Sequence, residues 1–553
     1  RDGGGEEQEE GCAHGHLGGA AVHHSGPGCA TPARSAGQRG SMPATGASMT
    51  RLLHAAWLLA AVLTASSCVP DNPGFARARV IERMDQAVGG PKAAARKGDF
   101  ILENDHFRVA ILASTQADGS PRNSLGPGLF GGSLVDADLQ RADPRFTGGN
   151  GRDQFAELFP TVSLNVPGPT AEGQVRIVHD GSDGEAAIIR VESEAVPFLN
   201  LLAALWALTD VPDMRMVTDY IAEPGVPGLK IRTAVRVGPS ANVTDFGGEF
   251  PAGQTVTAHT EPYPLVERAI SDGLITGDFF LSGGSLSVFA PGMGFDEDGL
   301  VARAGEEGIN SFSEPFRFPW LASVGDGVSY GMVAVEGDLF VPLFTSSQTT
   351  LVGGSAQGDP EADDRFRDGD IYTYERWFFI GHGDAGSILD QIITTRGTPH
   401  GVVRGRVTEQ STGLALSGVD VFVFEPGAEY PINQWRTDVR LDDELPDGSF
   451  AGRLPVGTWE LLVHERGRPD GERVTITVDA DAELDLALFA PQPGLLSFTL
   501  TDETGQAVPG KITFIRADGE TDRHPELGDG FIAGDPEAVV FPLYGRGEVM
   551  LPD

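Results

Sequence analysis

Along most of this chain apolar and polar residues alternate with a period of two, in short runs separated by Gly, Pro, Asn and Asp. That is the pattern of half-buried β-strands joined by turns. "DFILENDHFRVAILAS" predicts a hairpin turning at Asn104-Asp105, with Ile101, Val109 and Ile111 among its apolar positions. "MVTDYIAEPGVPGLKIRTAVRV" predicts a second hairpin, its turn opened by Glu223-Pro224-Gly225. Further strands are predicted in "GSLSVFAPG", "VSYGMVAVEG" and "YTYERWFFIG". Two stretches have helical character. "AVPFLNLLAALWALTD" is apolar on most sides and too short for a bilayer, so it predicts a buried helix. "DAGSILDQIITTRG" predicts a helix capped by Asp384 and stopped at Gly397.

The "TDYIAEPGVPGLKIRTAVRV" segment is similar to the hairpin of super-sandwich domains that accompany sugar-active enzymes, which implies a large β-sandwich over residues 79–398 with short helices. From Gly401 the alternation marks smaller units. The phrases "GRVTE…TGLALSGVDVFVF", "DGSF" and "LPVGTWELLV" resemble the carboxypeptidase regulatory-like module, a small transthyretin-like β-sandwich, over 401–489. Gly405, Gly418, Asp447-Gly448, Leu454-Pro455, Gly457 and Trp459 fall where that family places turn and core residues, with Trp459 replacing the usual Tyr. The resemblance implies a non-catalytic spacer, stabiliser or recognition surface. A second copy follows over 491–553: Gly505 and Pro509-Gly510 echo Gly413 and Gly418, and "KITFI" echoes "VDVFVF". "GEVMLPD" lines up with "FAGRLPVGTWELLV", which predicts a Gly and an aromatic-bearing strand after Asp553 and an incomplete last module. The expected fold class is therefore mainly β: a large super-sandwich-like region followed by two small Ig- or transthyretin-like sandwiches, the last truncated.

Composition changes the picture mainly at the front. Hydrophobic content of 40% is a globular level, and Gly 74 with Pro 38 suits many turns. Residues 1–48 lack apolar periodicity and read as disordered or as spurious upstream sequence. At Met49 begins "MTRLLHAAWLLAAVLTASSCVPDNPG". Arg51 supplies the positive start, Leu52 to Ala65 an apolar run, and Ala65, Ser66 and Ser67 the small residues before Cys68, so 49–67 has the form of a secretory signal. Small residues directly before a cysteine resemble the lipobox of bacterial lipoproteins, with Ala65 where Leu is usual. The resemblance implies a diacylated Cys68, and Val69 after it implies the outer membrane of a Gram-negative bacterium; a plain signal peptide is the alternative. Residues 68–78 form a Pro/Gly linker. The cysteines are Cys12, Cys29 and Cys68, so a chain cut at Cys68 has no pair to oxidise. A formal net charge of −39 repels phosphate backbones and argues against nucleic acid as a partner.

Candidate chemistry is sparse. There is no H-E-x-x-H or C-x-x-C, and His106, His179, His259, His382, His400, His464 and His524 are all isolated in sequence. No catalytic, cofactor-binding or metal residue is expected among the residues given. "GPGLFG", Gly126 to Gly131, satisfies G-x-G-x-x-G, but the strand-like "GSLVDADLQRADP" follows instead of a helix, so these are read as turn glycines. The acidic loop 359–370 offers carboxylates to calcium, yet Phe366 stands where an EF-hand loop needs an oxygen, which favours a solvated loop. Trp320 and Trp377 are candidate sugar-stacking platforms, with core packing as the competing reading for Trp377. Taken in order, lipobox, "GDFILENDHFRVAIL", "YERWFFIGHGDAGSILDQI" and two β modules resemble the front half of envelope proteins ending in a PHP-type metallohydrolase domain. No H-x-H strand follows the signal, so no metal ligand carries over. The expected function is a non-catalytic envelope lipoprotein segment, anchored in the membrane through lipidated Cys68, offering a scaffold or recognition surface to a glycan or envelope protein. The alternatives are the front portion of a metal-dependent phosphoesterase and a carbohydrate-binding surface protein.

Overall fold

The period-two runs resolve into paired antiparallel sheets in the computed structural model, which describes residues 74–552 apart from 125–129, 163–164, 198–213, 239–273, 284–285, 304–316, 347–348, 358–370, 440–445, 518–522 and 531–535. The signal segment, Cys12, Cys29 and Cys68, His259, the acidic loop and the first four residues of the Gly126–Gly131 match lie outside the described residues.

In the large region one sheet runs Ala76–Val80, Phe100–Asn104, Phe107–Ile111, Leu134–Leu139, Glu157–Val162, Leu274–Leu281, Thr349–Gln357, Leu339–Ser346 and Arg317–Phe318. The other runs Val175–His179, Ala187–Pro197, Met214–Ala222, Gly228–Val237, Ile371–Gly381, Ser329–Ala334, Leu321–Val324 and Ser287–Phe289. Asn165–Pro167 bridges them, pairing with Val162 on one side and with 195–197 on the other. The inward faces meet in one core, where Phe155 packs on Phe280 of the first sheet and on Tyr330 and Phe378 of the second, at centroid distances of 5.0–5.5 Å. Rings at these separations and tilts add attraction beyond the area they bury. The large β-sandwich expected from the sequence is present.

Both predicted hairpins form, and Asn104 ties them together. Its Oδ1 accepts from the N–H of His106 (2.9 Å) and Phe107 (3.2 Å), closing its own turn. Its Nδ2 donates to the carbonyls of Glu223 (2.8 Å) and Val226 (2.7 Å) in the other turn. Of the "AVPFLNLLAALWALTD" stretch, Ala195–Pro197 ends a strand paired with Asn165–Pro167, and the rest, on which the helix expectation falls, lies outside the described residues.

The predicted helix spans Gly386–Arg396. Asp384 Oδ1 accepts from the Ser387 N–H at 2.8 Å, and Gly397 closes the helix in the left-handed region at φ 63°. Among the described residues no helix is long and apolar enough to cross a membrane. The helix sits between the large sandwich and a small one. The small one stacks a three-stranded sheet, Ser449–Pro455, His400–Glu409 and Glu483–Ala490, on a four-stranded sheet of Asn433–Arg436, Asp420–Phe424, Gly457–His464 and Val474–Val478. Glu483–Ala490 runs parallel to His400–Glu409; the other pairings are antiparallel.

The last part repeats that arrangement in its described residues. Gly494–Thr499 pairs with Arg546–Leu551 so that Gly494 faces Leu551, as Gly401 faces Leu454. Ile512–Phe514 pairs with Ala538–Val540 as Asp420–Phe424 pairs with Asn433–Arg436. The turns match too, with bridges Thr408 to Ala415 and Thr501 to Ala507 around Gly413 and Gly505, both at positive φ.

Asn104→Ala should destabilise the large sandwich by roughly 1–3 kcal/mol, because it leaves two carbonyls and two N–H groups without their partner. Urea unfolding of the full chain, followed by tryptophan fluorescence, checks this; an unchanged midpoint would count against the coupling of the two turns.

Candidate functional site

Histidines isolated in sequence are sorted by the fold. Nδ1 of His179 and of His400 meets a backbone carbonyl close by, of Ala186 (2.6 Å) and Thr398 (2.7 Å), and His106 Nε2 meets that of Gly225 (3.1 Å). His382 is exposed in the turn before the helix. His464 and His524, sixty residues apart, come together with ring centroids 6.2 Å apart and planes at 89°.

His464 ends the Gly457–His464 strand, and the following turn, with Gly467 at φ 81°, folds Asp470 back onto it. Its Nδ1 lies 2.6 Å from Asp470 Oδ1. Its Nε2 lies 3.3 Å from Oδ1 of Asp529, which belongs to the last module and follows the short helix Pro525–Leu527. Asp529 is held in turn: its Oδ2 accepts from the His524 N–H at 3.0 Å, and its carbonyl accepts from Arg523 Nη2 at 2.7 Å. Asp470 Oδ2 also faces His524 Nε2 at 3.8 Å, while His524 Nδ1 lies 3.3 Å from Glu526. With a carboxylate on each nitrogen, His464 can satisfy both contacts only as a donor twice over, so the imidazolium is the form this site selects.

Burial alone would push His464 down, but the hydrogen bonds and charges of Asp470 and Asp529 outweigh it and raise its pKa to about 10. Burial would raise Asp529, and its pairing with His464 instead holds it below the usual carboxylate range. His524, hydrogen-bonded to Glu526, is also held above the ordinary imidazole value.

The large sandwich reaches the same place. The Gly292 N–H donates to the Pro431 carbonyl (2.9 Å) and the Phe295 N–H to that of Glu526 (2.9 Å). Two cavities flank the His464–Asp529 contact. One, about 150 Å3, is lined by both small modules, among them Arg466, Arg468 and Arg523; the other, about 310 Å3, also takes in Ser287, Val324 and Asp326 of the large region. Among the described residues no group of three or more His, Cys, Asp or Glu is arranged to hold a metal ion. The geometry is that of a charge-assisted joint, with both imidazole nitrogens already occupied.

Trp320, expected as a sugar platform, is 4% exposed and stacks on Phe289 at 5.7 Å, so it is a core residue. Trp377 is half-buried mid-strand against Phe379, with Lys230 Nζ 5.9 Å from its ring. Sequence reading missed His464 and His524 as a pair. The available signal was that "VHERGRPDGE" and "RHPELGDGF" each set a histidine near carboxylates in turn-rich sequence.

No family model matches the chain, and no curated protein matches it. Among solved structures, a DUF3823 family protein from Parabacteroides merdae is similar at 20% identity over 19% of this chain and 53% of that one, with a TM-score of 0.14. A TPR-domain containing protein from Parabacteroides distasonis is similar at 9% identity over 56% of this chain and 54% of that one, with a TM-score of 0.25. The Streptococcal ancillary pilin is similar at 13% identity over 40% and 68%, with a TM-score of 0.17. The chain thus spans about half the length of the first two, and likenesses this distant do not bear on function.

His464 has a folded pKa above its unfolded value, so its contribution is complete below about pH 6.5 and is lost as pH rises toward about 10. Asp529 is shifted down, so its contribution is present above about pH 4 and is lost as pH falls below that. The joint should therefore be strongest between about pH 4 and 6.5. In chemical denaturation across pH, the stability gap between wild type and His464→Gln should narrow from pH 6.5 to 10; a constant gap would contradict the imidazolium.

Proposed function

We propose that this chain is a non-catalytic segment of a cell-envelope lipoprotein, a scaffold of β-sandwich modules fixed to one another so that they present a surface at a set orientation. The observation that carries this reading is a single apolar core that passes through three parts of the fold. It contains Phe289, Trp320, Val324 and Phe379 of the large sandwich, Ile388, Leu389, Ile392 and Ile393 of the helix, and Val403, Phe422, Trp435 and Leu461 of the first small sandwich. Leu527 of the last module joins it. At roughly 1.5–3 kcal/mol for each large aliphatic side chain buried, the four helix residues alone make separation of the modules costly. Flexibly linked modules would lack such a core; inter-domain contacts within chains are ordinarily smaller and more polar.

The packing at this seam leaves no room for adjustment. The Trp435 ring lies between Gly386 at the helix start and Gly452 in the facing strand, and a Cβ on either glycine would come within 2.0 Å of the ring. Asp390 Oδ1 accepts from the Arg453 N–H at 2.7 Å, and Gln434 Oε1 accepts from the Ala385 N–H at 3.0 Å, two polar contacts that cross the seam. A rigid seam suits a protein that holds a binding surface at a distance from its anchor. The anchor in this reading is the lipidated Cys68, and the compartment is the outer membrane.

Two measurements test the proposal. Calorimetry of the full chain should show the large sandwich and first small sandwich melting together, and Gly386→Val should split that transition in two; separate melting in the wild type would remove the scaffold reading. Cells fed a fatty-acid analogue should label wild type and leave Cys68→Ser unlabelled, and equal labelling of both would sink the anchor.

A further inference from the structure

The cavity of about 150 Å3 beside His464 has an uneven balance of partners. Each carboxylate around it is engaged. Asp470 and Asp529 hold His464, and Glu526 meets His524. Glu465 and Glu409 accept from Arg468 at 2.8 and 3.2 Å, and Glu537 has a partner of its own. The guanidinium groups are not all so placed. Arg468 is paired with those two carboxylates through Nε and Nη1, and Nη1 also donates to the Pro491 carbonyl. Arg466 lines both cavities, yet among the described residues it makes no hydrogen bond or ion pair. Arg523 gives one hydrogen bond to the Asp529 carbonyl, and its Nε is buried without a partner.

In a chain with 79 acidic and 40 basic residues, two guanidiniums that hydrogen-bond to no carboxylate on one cavity wall, although Arg466 lies near enough to Asp529 to help hold it charged, run against the average. A buried guanidinium nitrogen with no acceptor carries a desolvation cost that an acceptor entering the cavity would remove. Guanidinium is the group best shaped for a planar or tetrahedral oxyanion, because its donors form a fork.

We propose that this cavity binds an oxyanion, carboxylate or phosphate, between Arg466 and Arg523 at the junction of the two small modules. The volume suits a single anionic group, so the ligand is a small anion or the charged end of a larger molecule. Because Arg466 comes from the first small module and Arg523 from the last, the anion would bridge them.

The test uses the full chain at pH 7 and constant ionic strength, titrated by calorimetry with inorganic phosphate, with acetate and with chloride. Saturable binding of phosphate or acetate, absent with chloride, is expected. Arg466→Gln and Arg523→Gln should each weaken it by about tenfold or more, the usual worth of a charge-assisted hydrogen bond. Arg404→Gln, which alters an exposed pair with Glu483, should leave it unchanged. Should Arg523→Gln fail to fold, the exposed Arg466→Gln still decides the matter. Binding of one anion alone names the source as phosphate or carboxylate. No saturable binding of either, or binding that survives Arg466→Gln, overturns the proposal.

Discussion

A helix of eleven residues buried on nearly all sides is the constraint around which the rest is arranged. Gly386–Arg396 packs against the large sandwich on one side and the first small sandwich on the other, and Gly386, Ser387, Ile388, Leu389, Asp390, Ile392 and Ile393 are all buried. A helix so enclosed cannot leave its first N–H groups or its polar side chains to water. Each of several finds a protein partner: Asp384 accepts from Ser387, Asp390 accepts from the Arg453 backbone, and Gln391 donates to the Ile380 carbonyl at 2.8 Å. Because those partners come from both flanking sandwiches, the helix is satisfied only when both are in place.

The two seams of the molecule are built from opposite chemistry. Around the helix the contact is apolar and its strength is set by area. Between the two small modules it is ionic and its strength is set by protonation. The strongly acidic composition also shapes the interior of the large sandwich, where several buried carboxylates are matched by arginine: Asp219 by Arg190 at 2.7 Å, Asp99 by Arg122 at 3.0 Å and Asp278 by Arg376. Asp136 is the contrast. It is served by the Ala94 and Ala95 N–H groups, but burial still pushes it up to about 6. Which buried acid gains an arginine partner cannot be seen from the acid count.

How much of this the sequence revealed depends on range. Local devices were plain: Gly397 as a left-handed helix stop, Asp384 as a cap, Asn104-Asp105 and Glu223-Pro224-Gly225 as turns. Each acts within a few residues of itself, so its chemistry is written where it works. The repeat in the last part was also legible, because "LPVGTW" and "MLPD" place Leu454 and Leu551 at the same register positions. Contacts between distant segments were not. That Asn104 serves the other hairpin's turn, that Trp435 fills the seam, and that His464 meets Asp529 all follow from how modules stack, and no period of two records it. The Trp320 expectation failed for a related reason: a tryptophan in sequence does not show that Phe289, more than thirty residues earlier, will cover its ring.

The parallel pairing of His400–Glu409 with Glu483–Ala490 sets an order of events during synthesis. The first strand of that sandwich must wait for the last, some eighty residues later, before its second edge is filled. Hairpin pairings such as that of Phe100–Asn104 with Phe107–Ile111 can close while the chain is still emerging. The small sandwich can close only once Ala490 is available, and until then it shows an open strand edge to its surroundings. The helix that locks it to the large sandwich precedes it in the chain and so is present beforehand, offering a preformed apolar wall on which the late-closing module can assemble.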